Sequence, residues 1–183
     1  MQPEEIALDP AAVRRPAARV ETLFREHYPR LAGMLTRLTG DRAHAEELAA
    51  DVFHKLSQRP ELLAQQDVTA WIYRVASNAG VDALRRDSRR RKREETAGAA
   101  AHAAPPEDAL DSMLREERRA RVRQVLESLR PRDAQLLLLR SSGLAYRELA
   151  QTLGVEPGSV GTMLARAEAE FERRFRARFG GEV

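Results

Sequence analysis

Apolar side chains recur at three- and four-residue steps over most of this chain, and nowhere alternate with polar ones as a strand would. In the first half, Val20, Leu23, Phe24, Tyr28, Leu31, Leu35 and Leu38 form one stripe. Thr39-Gly40 ends it and Asp41 is placed to cap a second helix, in which Ala45, Leu48, Ala49, Val52, Phe53 and Leu56 repeat the pattern. A less regular connection, Ser57 to Gln66 with Pro60, leads to Asp67. That residue can cap a third helix with Trp71, Ile72, Val75, Ala76, Ala79 and Ala83 inside. In the second half, Leu110, Leu114, Val122, Val125, Leu126 and Leu129 mark a helix, and Pro131 opens another that runs through Leu136–Leu139 to Gly143. Two more follow, Tyr146 to Leu153 and one from about Pro157, separated by a turn at Gly154. Between the halves, TAGAAAHAAPPED has no amphipathic face and holds Pro105-Pro106.

The expected fold is therefore all-α: two small helical domains joined by a flexible linker, the second containing a helix-turn-helix. The expected boundaries are a disordered tail over 1–19, a first module over 20–93, a linker over 94–108 and a second module over 109–179.

Composition narrows the chemistry. The 183 residues include no cysteine, which excludes disulfides and thiolate zinc sites and suits a reducing cytoplasm. Residues 1–19 carry acids and prolines without a long apolar core, so neither a signal peptide nor a membrane anchor is expected. The net charge of +3 hides a concentration of Arg85, Arg86, Arg89, Arg90, Arg91, Lys92 and Arg93, interrupted by one acid, Asp87. Such a block suits phosphate backbones; a solvated helix end stabilised by its dipole is the plainer alternative.

Residues 144–167, LAYRELAQTLGVEPGSVGTMLARA, carry the second module's chemistry. Leu149, Ala150 and Leu153 share one face, Gly154 sits at a sharp turn, and Val155, Val160 and Leu164 return to the same core. This spacing presents a second helix to a major groove, although an ordinary helical hairpin can reuse it. Tyr146 opens the first of the two helices, and Ser159, Thr162, Met163 and Arg166 fall on the outward face of the second. Hydroxyls and a guanidinium there can meet phosphates or base edges.

On the third helix, Arg74, Asn78 and Asp82 follow at four-residue steps, continued by Arg85, Arg86 and Arg89. Guanidinium and amide groups can hold an unstacked base while the arginines grip its backbone; a solvated polar face is the alternative. Trp71 reads first as core, with an edge able to wall a base pocket.

Three segments now resemble one family. DVTAWIYRVASNAGVDALRR (67–86) and LAYRELAQTLGVEPGSVGTMLARA (144–167) are similar to the two essential regions of the extracytoplasmic-function (ECF) sigma factors of bacterial RNA polymerase. HYPRLAGMLTRLTGDRAHAEELAADVFHKL (27–56) resembles the start of their first domain. The resemblance covers about 20–93 and 107–175. It implies that the first domain binds the polymerase clamp and melts the promoter −10 element, while the second reads the −35 element as duplex. By position it assigns Glu46, Glu47, Leu48, Asp51, Val52 and Phe53 to the clamp, and Asn78, Asp82, Arg85 and Arg86 to melting. It assigns roughly Leu63 to Thr69 to a flipped −10 base, and Ser159, Thr162 and Arg166 to the −35 element. Where the family commonly has basic or bulky residues, this chain has Gly161, Met163 and Ala165; Glu156 and Ala145 replace hydroxyl caps. An unconventional −35 sequence is thus expected, with more weight on −10 readout or DNA shape.

The resemblance implies core RNA polymerase and promoter DNA as partners, with an anti-sigma factor as a common control. No catalytic residue, metal or cofactor is expected. A helix-turn-helix regulator acting without replacing the sigma subunit is the alternative, but it gives no role to the Asn78 helix. His44, Glu47, Asp51 and His54 stand at bundle-metal spacing, yet no second Glu-x-x-His set accompanies them. In the tail, Phe171 and Phe175 are expected to finish the second core, leaving Phe179 for a partner.

Overall fold

The computed structural model describes residues 10–96 and 110–180, and all regular structure within them is helical. The order is α1 (Pro10–Thr39), α2 (Arg42–Ser57), α3 (Pro60–Leu63), α4 (Val68–Thr96), α5 (Leu110–Ser128), α6 (Pro131–Ser141), α7 (Tyr146–Leu153) and α8 (Pro157–Phe179). Of the expected tail, residues 1–9 lie outside the described residues, as do 97–108 of the expected linker and residue 109. Residues 10–19, by contrast, are helical and continue into α1. Pro10 suits a first turn, where its missing N–H has no partner to lose, and Ala11, Ala12, Ala17 and Ala18 are strong helix formers. Residues 94–96, assigned to the linker, form the last turn of α4.

In the first module, α1 and α2 make the most extensive helix pair, and α4 packs on both. Gly40, at φ +75°, makes the turn between α1 and α2, and the Asp41 carboxylate accepts the His44 backbone N–H at 3.1 Å. The core holds Leu23, Leu31, Met34, Leu35, Leu38, Ala45, Ala49, Val52, Phe53, Leu56, Ile72, Tyr73 and Leu84. Gly80 lets α4 approach α1 closely. A Cβ there would stand 2.8 Å from both Leu35 Cδ2 and Leu38 Cδ2. Overpacking of this kind costs about 1–3 kcal/mol, against at most ~1 kcal/mol gained in helix propensity. Gly80→Ala is therefore expected to lower unfolding free energy by about 1–2 kcal/mol in urea titrations. Gly158→Ala, with open space around its Cβ, is expected to be neutral or slightly stabilising.

His27 is buried against Tyr73, ring centroids 5.7 Å apart, and burial lowers its pKa. The unfolded chain then takes up a proton that the folded one resists. Stability is full above the ordinary histidine range and falls as pH drops through about 6.5 towards the folded value. His27→Gln is expected to flatten the thermal-midpoint profile between pH 7 and 5, read by circular dichroism.

The second module packs α8 against α5, α6 and α7. Leu136, Leu139, Leu144, Leu149, Val160, Leu164 and Ala167 are buried. Leu114 and Val122, which helped to mark α5 in the sequence, are exposed, because α5 is buried only from Val125 onward. Phe171 packs on the core and Phe175 is buried, as expected. Phe179 is half-buried rather than free: its ring lies 5.2 Å from that of Phe175 and beneath the Arg121 guanidinium.

The two modules do not merely hang from a tether. Helix α4 contacts α5, α6 and α7, and one buried cluster runs through both halves. Periodicity marks each helix's apolar face but says nothing of polar residues that meet across modules.

Candidate nucleic-acid interface

The polar stripe of α4 follows directly from helix geometry. Ile72, Tyr73, Ala76, Val81 and Leu84 take the buried side, so Arg74, Asn78, Asp82, Arg85, Arg86 and Arg89 are carried off it. Asp82, Arg86 and Arg89 are exposed. Trp71 is half-buried against the core, as first read, and lies one turn before Arg74 and Val75. Ahead of it, Leu62 and Leu63 pack inward and Val68 is buried, while Ala64, Gln65, Gln66 and Asp67 stand in solvent as a short exposed rim.

Three members of the stripe are engaged by the second module. Arg74 donates from Nε to the Thr152 carbonyl at 2.6 Å and from Nη2 to the Gln151 carbonyl at 2.8 Å. Arg85 Nη2 donates to the Leu129 carbonyl at 2.9 Å, and Asn78 Oδ1 accepts from Gln135 Nε2. Further along, the Ser88 hydroxyl donates to Glu127, whose other oxygen lies 3.6 Å from Arg91. Arg30 of α1 donates to the Ser142 carbonyl at 2.8 Å. Sequence reasoning missed Arg30, Ser88, Glu127 and Gln135 as a set. One signal was present: Ser88, buried within the arginine run, continues the three- and four-residue steps of Val81 and Leu84.

In the second module the helix-turn-helix has the expected form. Gly154 is left-handed at φ +63°, and the Val155 N–H returns to the Ala150 carbonyl at 3.0 Å. Ala145 has no side chain with which to cap α7. Its backbone N–H nonetheless donates to Glu148 Oε2 at 2.6 Å, so half of a capping box survives. Glu156 makes no side-chain cap on α8. Ser159, Thr162 and Arg166 are exposed along one side of α8, whereas Met163 is half-buried and packs on the core, so it does not share their outward face. Tyr146 extends that face. It is 47% exposed, Gly161 lies beneath its ring edge, and the Arg140 guanidinium sits 5.5 Å from the ring centroid.

On α2, Glu47 and Asp51 are exposed, Leu48 is half-buried, and Glu46 is paired with Arg42 at 2.7 Å. Val52 and Phe53 correct the expected clamp surface. They are 1% and 4% exposed, on the apolar stripe with Ala49 and Leu56, so they hold α2 in place rather than touch a partner. Among the described residues no helix is long and apolar enough to cross a membrane.

Comparison with known proteins agrees with this division. The family model for Sigma-70 region 2 matches residues 23–90, and that for Sigma-70, region 4 matches 119–171. Among curated relatives, the ECF RNA polymerase sigma factor SigE of Mycolicibacterium smegmatis is 28% identical over 166 residues. That match covers 89% of this chain but 63% of the relative, less than two thirds of its length. RNA polymerase sigma factor YlaC of Bacillus subtilis is 26% identical, over 84% of this chain and 90% of its own. The ferric citrate uptake sigma factor FecI of Escherichia coli is 28% identical, over 87% and 92%. With both of the family's regions present in order, one on the α4 stripe and one on the helix-turn-helix, this chain belongs to the sigma-70 family, in its ECF group.

Proposed function

We propose that this protein acts in the cytoplasm as a sigma factor. It binds core RNA polymerase through the exposed acidic side of α2, reads upstream duplex DNA with α8, and helps to melt the −10 element along α4. The observation that carries the proposal is the α4 stripe itself. Arg74, Asn78, Asp82, Arg85, Arg86 and Arg89 line a helix that the core leaves uncovered. A base out of the stack costs a few kcal/mol, and a row of guanidinium and amide donors is suited to recover that cost from phosphates and base edges. A regulator using only the helix-turn-helix has no use for this row. The chain supplies binding and positioning, and bond formation belongs to the polymerase. An inhibitor protein able to cover both DNA-binding faces is a further partner of the proposal.

The experiment is co-purification of the tagged protein with core RNA polymerase, followed by transcription of a genomic library with that core enzyme. Stable association and new start sites are expected, and the start sites give the −10 and −35 elements. Failure to bind core enzyme would sink the proposal. For the duplex half, Arg166→Ala is expected to weaken binding to the upstream element by about tenfold and to reduce the salt slope by about one, as loss of one phosphate contact requires. Fluorescence anisotropy across a salt series reads both.

A further inference from the structure

A cleft of about 650 Å³ lies where the C-terminal end of α1 meets α5, α6 and α8. Leu38 of α1, Leu126 of α5, Leu137 of α6 and Phe171 of α8 line it, together with the exposed Val122. Leu126, Leu137 and Phe171 pack on the core yet are only partly buried, so apolar surface remains that a bound molecule would take out of water. None of the lining residues belongs to the DNA-binding or polymerase-binding sets proposed above.

The polar part of the lining is one-sided. Arg37, Arg118, Arg119 and Arg140 stand against a single acid, Glu168. Arg119 has Glu116 at 3.8 Å, but among the described residues the other three arginines have no carboxylate within ion-pair distance. Arg37 reaches the Ser142 hydroxyl at 3.5 Å, while Arg140 donates to the Leu144 carbonyl and lies over the Tyr146 ring. Arg118 is exposed and makes no hydrogen bond or ion pair with any described residue, so its planar donor fork is open to a carboxylate.

We propose that this cleft binds a small amphipathic acid, a free medium-chain fatty acid, with its carboxylate on Arg118 and its alkyl chain along Leu126, Leu137 and Phe171. Size favours a small molecule over a protein segment. The volume falls within the ~300–1,000 Å³ of small-ligand sites. A three-turn helix fills about 1,300 Å³, given its ~10 Å diameter and ~16 Å length, and would lie across the cleft rather than in it. The walls select the body of the ligand: all of the apolar lining except Phe171 is aliphatic, and an unbranched chain follows such a surface better than a flat ring system. The rim selects the head. Four guanidinium groups attract one negative charge, and Glu168 disfavours a second.

The full chain is titrated with octanoate, decanoate and dodecanoate below their micellar concentrations, read by isothermal titration calorimetry. Saturable binding is expected, with affinity rising about three- to fourfold for each added CH₂. Dodecanol keeps the chain without the charge, and dodecyltrimethylammonium reverses the charge. Both should bind about tenfold more weakly than dodecanoate, or worse. Arg118→Glu should weaken dodecanoate binding by about tenfold or more, as loss of a charge-assisted contact requires. Val122→Trp, which fills the cleft from an exposed position, should weaken it as well. Arg132→Glu, exposed on α6 and outside the cleft, should leave it unchanged. Circular dichroism melts check folding, which both cleft variants should keep because Arg118 and Val122 are exposed.

Absence of saturable binding overturns the proposal. So does equal affinity for dodecanol, or an unchanged affinity of Arg118→Glu for dodecanoate. Sedimentation velocity covers the other occupant, a second copy of this chain. Self-association that Val122→Trp abolishes, without dodecanoate binding, would make the cleft a contact between copies and overturn the proposal too. None of these results touches the sigma-factor proposal, which stands or falls on core-enzyme binding.

Discussion

In the Arg85→Ala/Arg86→Ala protein, promoter opening is expected to fall by about 100-fold while affinity for core RNA polymerase stays within about twofold. Arg86 is exposed on α4, and Arg85 donates to the Leu129 carbonyl of the second module. Neither side chain belongs to the apolar core, so the helix keeps its packing when both are truncated. In a promoter complex each guanidinium would make a charge-assisted contact, worth about 1.5–3 kcal/mol. Losing two removes about 3 kcal/mol from the state in which the strand is captured, which corresponds to roughly 100-fold in rate. Core binding is spared because the acidic surface lies on another helix, α2. Permanganate reactivity of unpaired thymines measures opening, and titration of labelled core enzyme measures association. Equal loss in both assays would remove α4 from its proposed role.

Asp51→Arg is expected to weaken association with core enzyme by about 30-fold or more, with strand binding by α4 unchanged. Asp51 is exposed, and so is Glu47 one turn before it. Glu46 is already matched by Arg42 at 2.7 Å. A basic partner surface would therefore meet Glu47 and Asp51 first. Reversing one charge removes an attraction and adds a repulsion; disrupting a single interfacial charge pair typically costs about 2–5 kcal/mol, and 30-fold is about 2 kcal/mol. The substitution leaves the core intact, since Ala49, Val52, Phe53 and Leu56 carry the packing of α2. Val52→Ala makes a useful contrast: it should lower stability by opening a cavity while leaving the charged surface unchanged. Unchanged affinity of Asp51→Arg for core enzyme would place the polymerase surface elsewhere.

Much of the helical framework was legible because its causes are local. Gly40, Gly143 and Gly154, all at positive φ, stand where apolar periodicity lapses, and Pro131 and Pro157 open the helices expected of them. Asp41 caps α2 through the predicted bond to the residue three positions on. The errors have equally local reasons. Residues 10–19 contain two prolines and follow the acids Glu4, Glu5 and Asp9, which read as a tail, yet Pro10 begins a helix and the alanines extend it. Val52 and Phe53 entered the polymerase surface by position within a motif, although their own spacing had already placed them inside. Met163 was put on the outward face of α8 but leans on the core, one residue before buried Leu164.

By itself the sequence determined the helices, their apolar faces, the left-handed turn at Gly154, the order of the two modules and the residue types along α4 and α8. These depend on backbone preference and on burial, which periodicity records. Only the tertiary structure decided which of those side chains remain available. Whether Arg74 faces solvent or the end of α7, and whether Asn78 meets water or Gln135, depends on how α4 lies against helices distant in sequence. Polar contacts of that kind leave no period in the chain, because each joins single residues and repeats nowhere.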